Sequence, residues 1–294
     1  MNSELIRLMR PSHWVKNLFV FLPVFFGRQM TNHDALLAAA IACAAFCFAA
    51  SAVYCLNDII DVEADRRHPV KRKRPIASGS VSVVSAYIVM TALAMASIAI
   101  PLLLDAPVCY TTMAVIAAYL VMDMAYCLRL KQYAIIDICL LSLGFVLRIL
   151  AGGTATGIVI SHWLVMMTFL LTLFLGIAKR RDDVLRMNAT GIPTRQNTTR
   201  YNLTFVNNAL NITGAVMLVC YIMYTVSAEV IENFGNPYLY LTTIFVILGL
   251  LRYIQLAVVD ERTGDPTKVL LHDRFTQFVI AGWGLTFLLL IYVL

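Results

Sequence analysis

The residues of this chain that are best suited to chemistry lie in one short stretch, NDIIDVEAD, which begins at Asn57. On an uninterrupted helix, Asn57, Asp61 and Asp65 would share one face, with Asp58 at its edge. Carboxylates crowded in this way repel one another unless a cation lies among them. Oxygen ligands that are open to solvent suit Mg²⁺, which binds few carboxylates together with water and substrate phosphate. The spacing therefore predicts a magnesium site at Asn57, Asp58, Asp61 and Asp65; a merely solvated acidic helix end fits less well, because helix C-termini prefer cations.

A basic run, RRHPVKRKRP, follows directly from Arg66 to Pro75. A magnesium–diphosphate complex needs both kinds of group, with metal on the bridging oxygens and Lys or Arg on the others. The alternative is a basic patch at a membrane surface, but the neighbouring acids favour phosphate. Arg72 is then a predicted substrate contact. The predicted catalytic residues are Asp58, Asp61, Asp65, Lys71 and Arg74.

The elements that must position these residues are membrane helices. Of the 294 residues, 60% are apolar and only 14% are charged, whereas a soluble protein is roughly half apolar and a quarter charged. A water-soluble enzyme, a disordered chain and a disulfide scaffold are therefore excluded. A spanning helix needs about 20 residues, and Pro23 and Arg28 make the first of the apolar runs the weakest. The runs predict nine spans, at about 13–27, 34–57, 81–104, 107–127, 135–153, 161–178, 207–228, 236–256 and 275–294.

The basic residues predict how the spans are oriented. Of the 23 Lys and Arg, all but Arg28 and Arg148 lie on the side of the membrane that holds the N-terminus. By the positive-inside rule that side is cytoplasmic, and nine spans then place the C-terminus outside. The polar clusters at the ends of the second, fourth and sixth spans would all face the cytoplasm. A transporter, the alternative outside the enzymes, would instead concentrate its polar residues near the membrane midplane.

These features predict an all-α membrane protein with a single domain over residues 1–294. We expect it in the inner (cell) membrane as a multi-pass protein, with its active site on the cytoplasmic side. The seven cysteines are scattered through apolar stretches without a CxxC pair, so neither a disulfide framework nor a zinc site is expected. No nucleic-acid partner is expected, and the sequence leaves open whether the protein is a homo-oligomer.

The pattern NDxxDxxxDRxHP at the end of the second span resembles the UbiA superfamily of intramembrane prenyltransferases, and within it the decaprenyl-phosphate phosphoribosyltransferase branch. The match covers nearly the whole chain. RPSHWVKN from Arg10 is similar to the family's RPxxWxKN, and HPVKRKRPIASG from His68 to its HPxKRxRPIAxG. GFVLRILAGG from Gly144 is similar to GFxxRxxAGG. GDP from Gly264 and DR from Asp273 also resemble the family.

The resemblance implies a nine-helix UbiA bundle that uses Mg²⁺ to transfer 5-phosphoribose from phosphoribosyl diphosphate to a polyprenyl phosphate. The sequence departs from the family in having Ala178 before Lys179 and Asp183 in place of a glutamate. Aromatic prenyltransferases of the same fold carry a second DxxxD motif where this chain has KRRDD. That excess of cations favours a donor with an extra phosphate. The alternative is an aromatic prenyltransferase that uses a polyprenyl diphosphate donor.

Further polar residues are assigned to substrates from their charge and depth. Lys16 and Asn17 would meet the lipid phosphate, and Lys179 and Arg180 either that phosphate or the 5-phosphate. Asp137 would be a second metal or ribose ligand. Arg148 would line the bundle interior, where pairing with Asp123 and phosphate contact remain equal alternatives. The complete set of predicted substrate contacts is Lys16, Asn17, Asn57, Arg72, Tyr126, Lys131, Asp137, Arg148, Lys179, Arg180 and Asp183.

Overall fold

The computed structural model describes residues 3–67, 70–193, 196–261, 269 and 272–293. In these ranges the regular structure is entirely helical, as predicted. The motif residues His68 and Pro69, and the GDP sequence at 264–266, lie outside the described residues. The chain divides into two compact units, Met1–Ser161 and His162–Leu294.

The first unit is built around one long helix. Helix α3 is rich in alanine and contacts three other long helices of the unit. Small residues allow membrane helices to approach closely, and Ala42, Ala45 and Ala49 are fully buried in its core. The helices of this unit are α1 (Ser3–Met9), α2 (Leu22–Phe26), α3 (His33–Ile60), α4 (Val62–Arg67), α5 (Val83–Ala99), α6 (Val108–Leu128) and α7 (Ile136–Thr156).

Five α-helices of the second unit are described over their full length, and the last of them, α12 (Arg274–Leu288), continues into a π-helical turn at Leu289–Val293. Asp273 joins two of these helices, because it accepts hydrogen bonds from Arg252 Nη2 at 2.6 Å and from the Thr276 backbone at 2.9 Å. These bonds, chiefly those from Arg252, hold the pKa of Asp273 well below its ordinary value. The helices of this unit are α8 (His162–Thr190), α9 (Leu203–Val226), α10 (Ala228–Phe234), α11 (Thr243–Val258) and α12 (Arg274–Leu288).

Eight helices among the described residues are long and apolar enough to cross a membrane. They correspond to eight of the nine predicted spans. The first predicted span, 13–27, is not among them, so the count of nine is not confirmed. It folds instead as a 3-10 helix, Pro11–Phe21, followed by the short α2. Pro23 lacks the N–H that a continuous α-helix would need at that point.

This 3-10 helix runs antiparallel to α3. Trp14 Nε1 donates to Ser51 Oγ at 3.0 Å, and Asn17 Nδ2 donates to Cys47 Sγ at 3.2 Å. Higher residue numbers on the segment thus meet lower numbers on α3. On its other side the segment packs against α7 at Gly152, where an added Cβ would collide with the carbonyl of Val20.

We expect Gly152→Ala to lower the free energy of unfolding by about 1–3 kcal/mol, because the new methyl group overpacks a backbone contact. The measurement is chemical unfolding of the purified protein in detergent. Gly284→Ala is the matched control, since Gly284 lies in α12 with no atom within 4 Å of an added Cβ. The control should be neutral or stabilising by up to about 1 kcal/mol. Equal effects from both variants would show that the close approach at Gly152 does not matter.

Candidate active site

The acidic stretch lies on two helices rather than one. Helix α3 ends at Ile60, Asp61 has φ −89° and ψ 5°, and α4 begins at Val62. The predicted uninterrupted helix through 57–65 is therefore wrong at Asp61. Helical hydrogen bonds continue across the break, from Asp61 N to Asn57 O at 3.0 Å and from Asp65 N to Asp61 O at 2.8 Å. The ψ angle of Asp61 departs from the α-helical value, so α3 and α4 are two helices rather than one.

Two cations each bridge two residues of the NDIIDVEAD stretch. Lys131 Nζ, beyond the end of α6, donates to Asp61 Oδ1 at 2.6 Å and to Asn57 Oδ1 at 3.3 Å. Arg74 Nη1 donates to Asp65 Oδ2 at 2.6 Å and to Asp58 Oδ1 at 3.1 Å. Asp65 is thus grouped with Asp58, not with the Asn57–Asp61 face that a continuous helix predicts.

A third cation, Arg10, belongs to the same cluster. Its Nη2 donates to Asp58 Oδ1 at 2.5 Å, and its guanidinium lies 5.0 Å from the centre of the Tyr54 ring. Arg10 adopts a left-handed conformation, with φ 52° and ψ 60°, at the start of the 3-10 helix. Non-glycine residues seldom adopt this conformation. The sequence shows Arg10 in the RPxxWxKN motif, but no spacing links it to Asp58.

The ligand groups of this cluster fit Mg²⁺ that is shared with a substrate. Asp58 is only 2% exposed, and while Oδ1 accepts from two arginines, Oδ2 has no hydrogen-bond partner among the described residues. A buried carboxylate oxygen without a partner is costly, and a cation would satisfy it. In the described ranges no three His, Cys, Asp or Glu side chains converge to hold a metal by themselves. Such a metal would need the Asn57 amide and substrate oxygens as well, which is the usual way in which Mg²⁺ is bound.

In the second unit, the KRRDD sequence lies on α8. Lys179 is exposed, whereas Arg180 is 2% exposed and its Nη1 lies 2.5 Å from Asp183 Oδ2, one helical turn along. The next residue, Arg181, is also buried and donates from Nε to Asn207 Oδ1 on α9 at 2.9 Å. The sequence assigned no role to Arg181.

Comparison with known proteins now identifies the fold and the family. The model of the UbiA prenyltransferase family matches residues 18–292. This chain belongs to the UbiA prenyltransferase family. Among curated relatives, the decaprenyl-phosphate phosphoribosyltransferase of Mycolicibacterium smegmatis is 33% identical over 96% of this chain and 90% of that protein. The protein of the same name from Corynebacterium glutamicum is 33% identical over 99% of this chain and 87% of its own length.

Solved UbiA structures agree with the fold. A UbiA homolog from Archaeoglobus fulgidus bound to GPP and Mg²⁺ superposes with a TM-score of 0.72, at 20% identity, over 99% of this chain and 100% of that chain. A likeness at this identity bears on the fold alone. Family membership and the eight apolar helices make the protein an integral multi-pass membrane transferase with the UbiA fold. The resemblance and the all-helical fold class are thereby confirmed.

The other predicted contacts in the first unit of this UbiA protein differ in depth. Lys71 is half-buried and Arg72 is exposed, and both lie on the 3-10 turn Lys71–Lys73. Lys16 is half-buried on the 3-10 helix. Tyr126 is packed in the core formed by α3, α6 and α7, and Asp137 is fully buried in the first turn of α7.

Arg148 is held by a network inside the first unit. Its Nε donates to Asn17 Oδ1 at 2.8 Å, its Nη1 to Gly144 O at 2.7 Å and its Nη2 to Tyr119 OH at 3.3 Å. Asp123 lies near enough to Arg148 for the two charges to interact electrostatically. Both polar groups of Asn17 have protein partners, which connects α7 to the 3-10 helix and to α3.

Three aromatic rings surround the same guanidinium. The centres of the rings of Phe46, Tyr119 and Phe145 lie 5.3, 5.1 and 5.1 Å from the central carbon of Arg148. Cation–π contacts of this kind strengthen when the charge is desolvated. The surroundings of Arg148 therefore favour a structural role inside the first unit over contact with a substrate phosphate.

We expect Arg148→Met to lower the free energy of unfolding by about 2–4 kcal/mol, because it leaves the Asn17 carbonyl oxygen and the Tyr119 hydroxyl without their donor. Chemical unfolding in detergent measures the loss. Arg129→Gln, an exposed arginine just after α6, is the control and should change stability by less than about 0.5 kcal/mol. Unchanged stability in Arg148→Met would leave this side chain available to a substrate.

Proposed function

We propose that this UbiA protein transfers 5-phosphoribose from phosphoribosyl diphosphate to a polyprenyl, decaprenyl-like phosphate and releases pyrophosphate. The names of the curated relatives that match nearly the whole chain support this reaction. The structural observation that carries it is a cluster in which acids and cations are equal in number. Its members are Asp58, Asp61, Asp65, Arg10, Arg74 and Lys131.

Equal numbers of charges suit exchange with a metal diphosphate. Without substrate, Arg74 and Lys131 neutralise the carboxylates. A donor that arrives with Mg²⁺ brings both positive and negative charge, so the carboxylates can turn to the metal and the cations to phosphate oxygens. Every charged group then retains a partner, and none is left desolvated and alone.

Asn57, Asp58, Asp61 and Asp65 would hold the metal, which supplies charge neutralisation at the diphosphate. As the bond between ribose C1 and the diphosphate oxygen breaks, the electron pair leaves with pyrophosphate. Lys131 and Arg74 stabilise the charge that develops there, assisted by Lys71 and Arg72.

An oxygen of the lipid phosphate forms the new bond to C1. Because the acceptor is already an anion, the reaction needs no general base. Lys16, half-buried on the 3-10 helix, is the proposed contact for this phosphate. Asn17, with both polar groups engaged by protein, instead positions Arg148.

The choice of donor rests on the second unit. A prenyl diphosphate donor is served by a second acidic motif, whereas α8 carries three consecutive cations, Lys179–Arg181. We therefore favour a donor with an additional phosphate and retain Lys179 as an exposed contact for it. Residues 1–294 would act as one functional domain.

We expect Asp61→Asn to reduce transfer at least about a hundredfold, because it removes a metal ligand and the partner of Lys131. The assay measures label moving from phosphoribosyl diphosphate into a polyprenyl phosphate in the organic phase, and chelation of Mg²⁺ should abolish it. Glu63→Gln is the control, since Glu63 lies on α4 as an exposed partner of Arg66. Its transfer should be unchanged.

Two results would contradict this assignment. Full activity in Asp61→Asn would show that the acidic stretch is not part of the active site. Turnover of a polyprenyl diphosphate with an aromatic acceptor, without phosphoribosyl transfer, would establish the alternative prenyltransferase activity.

We also propose that the first segment crosses the membrane, which makes nine crossings and places the site on the cytoplasmic side of the inner membrane. The 3-10 helix has 11 residues and α2 has 5. At rises of about 2.0 and 1.5 Å per residue they extend roughly 30 Å, the thickness of the hydrocarbon core. The exposed apolar side chains of Val15 and Leu18 suit contact with lipid.

Reporter fusions to each terminus test this topology. With nine crossings, a fluorescent protein before Met1 should fluoresce in the cytoplasm, and an alkaline phosphatase after Leu294 should be active outside. With eight crossings both termini would lie on one side. A phosphatase that is inactive after Leu294 while the N-terminus is cytoplasmic would therefore refute the ninth crossing.

A further inference from the structure

Three consecutive cations on α8 have three different environments. Lys179 is exposed, and Arg180 forms a buried ion pair with Asp183 on its own helix. Arg181 is 3% exposed, but its hydrogen-bonding partners are neutral. Of these two buried arginines, Arg181 is therefore the one whose charge is less compensated by the described residues.

The contacts of Arg181 use only part of its guanidinium. Nε donates to Asn207 Oδ1 at 2.9 Å, and Nη2 reaches the carbonyl of Val258, at the end of α11, at 3.5 Å. Nη1 is buried and has no hydrogen-bond partner in the part of the chain that the structure describes. The two contacts fix the plane of the guanidinium between α9 and α11 and leave one donor nitrogen unused.

Among the described residues, one carboxylate lies within 4 Å of Arg181, and it compensates this charge only in part. Glu261 Oε1 lies 3.8 Å from Arg181 Nη2, beyond hydrogen-bond distance, and the Glu261 side chain is 55% exposed. Because Glu261 is largely solvated, it compensates the buried guanidinium only in part, and an incompletely compensated buried charge carries a desolvation cost. An anion with several acceptor oxygens would repay that cost.

We propose that Arg181 is the centre of a second anion subsite, which takes a phosphate monoester. Arg181 would provide hydrogen bonds to two phosphate oxygens, a geometry that guanidinium matches well, and Glu261 would be displaced toward solvent. The assignment rests on the proposed function, in which two phosphate monoesters occur, the 5-phosphate of the donor and the phosphate of the lipid. It differs from the sequence prediction, which placed the phosphate at Lys179 and Arg180.

Binding to the purified full-length protein in detergent tests the subsite. The probes are ribose 5-phosphate and farnesyl phosphate, one for each source of the monoester, with magnesium pyrophosphate as the reference for the Asp58 cluster. Arg181→Met should weaken binding of one or both monoesters by about tenfold to a hundredfold and leave pyrophosphate binding unchanged. The probe that loses affinity identifies the source.

Two further variants make the test specific. Glu261→Gln should strengthen binding of the same monoester, because it removes the competing carboxylate, so its effect has the opposite sign. Arg186→Gln is the control, since Arg186 lies on the same helix in an exposed pair with Asp182. If Arg181→Met does not fold, Arg181→Lys replaces it and should weaken binding severalfold, because lysine keeps the charge but lacks the two-pronged donor geometry.

The outcomes separate the subsite from the reaction. Unchanged affinity of Arg181→Met for both monoesters would overturn the subsite, even if the wild-type protein transfers phosphoribose. Loss of monoester binding in Arg181→Met would support it, even if the wild-type protein shows no transfer.

Discussion

The burial of one carboxylate, that of Asp58, organises the first unit. An ionised group that is 2% exposed must be compensated within the protein, and two arginines from distant parts of the sequence do so. Arg10 brings the N-terminal segment to the end of α3, and Arg74 brings the loop that follows α4. Both donate to the same oxygen, so the other oxygen remains available. The compensation that stabilises the fold thus also creates the proposed ligand position.

The two units treat buried charge differently. In the first unit, Arg148 is saturated by hydrogen bonds and aromatic rings and serves to connect helices. In the second, Arg180 forms an ion pair with Asp183 on its own helix, whereas the hydrogen-bonding partners of Arg181 are neutral. Burial alone therefore does not distinguish a structural arginine from a binding one. A structural arginine is compensated either at each guanidinium nitrogen, as in Arg148, or by a close carboxylate, as in Arg180, and Arg181 has neither.

Most of the membrane helices and the identity of the acidic and basic runs could be predicted from the sequence, because hydropathy and short spacings are local properties. The partners could not, since Arg10 and Asp58, or Lys131 and Asp61, meet only through packing of distant segments. The break at Asp61 also has no signal in the sequence, as neither proline nor glycine marks it. The first predicted span is apolar enough but is not among the long helices, because it folds as a 3-10 helix followed by the short α2, which has Pro23 in its first turn.

The order of the cluster along the chain has a consequence for biosynthesis. Arg10, Asp58, Asp61, Asp65 and Arg74 are all made before the helix that precedes Lys131. A nascent chain that ends before α6 therefore carries all three acids of the cluster but only two of its three cations, Arg10 and Arg74. Asp61 would lack its Lys131 partner until α6 is inserted. Completion of the site is thus coupled to correct insertion of a later helix. The charges of the cluster become balanced only after that helix is in place.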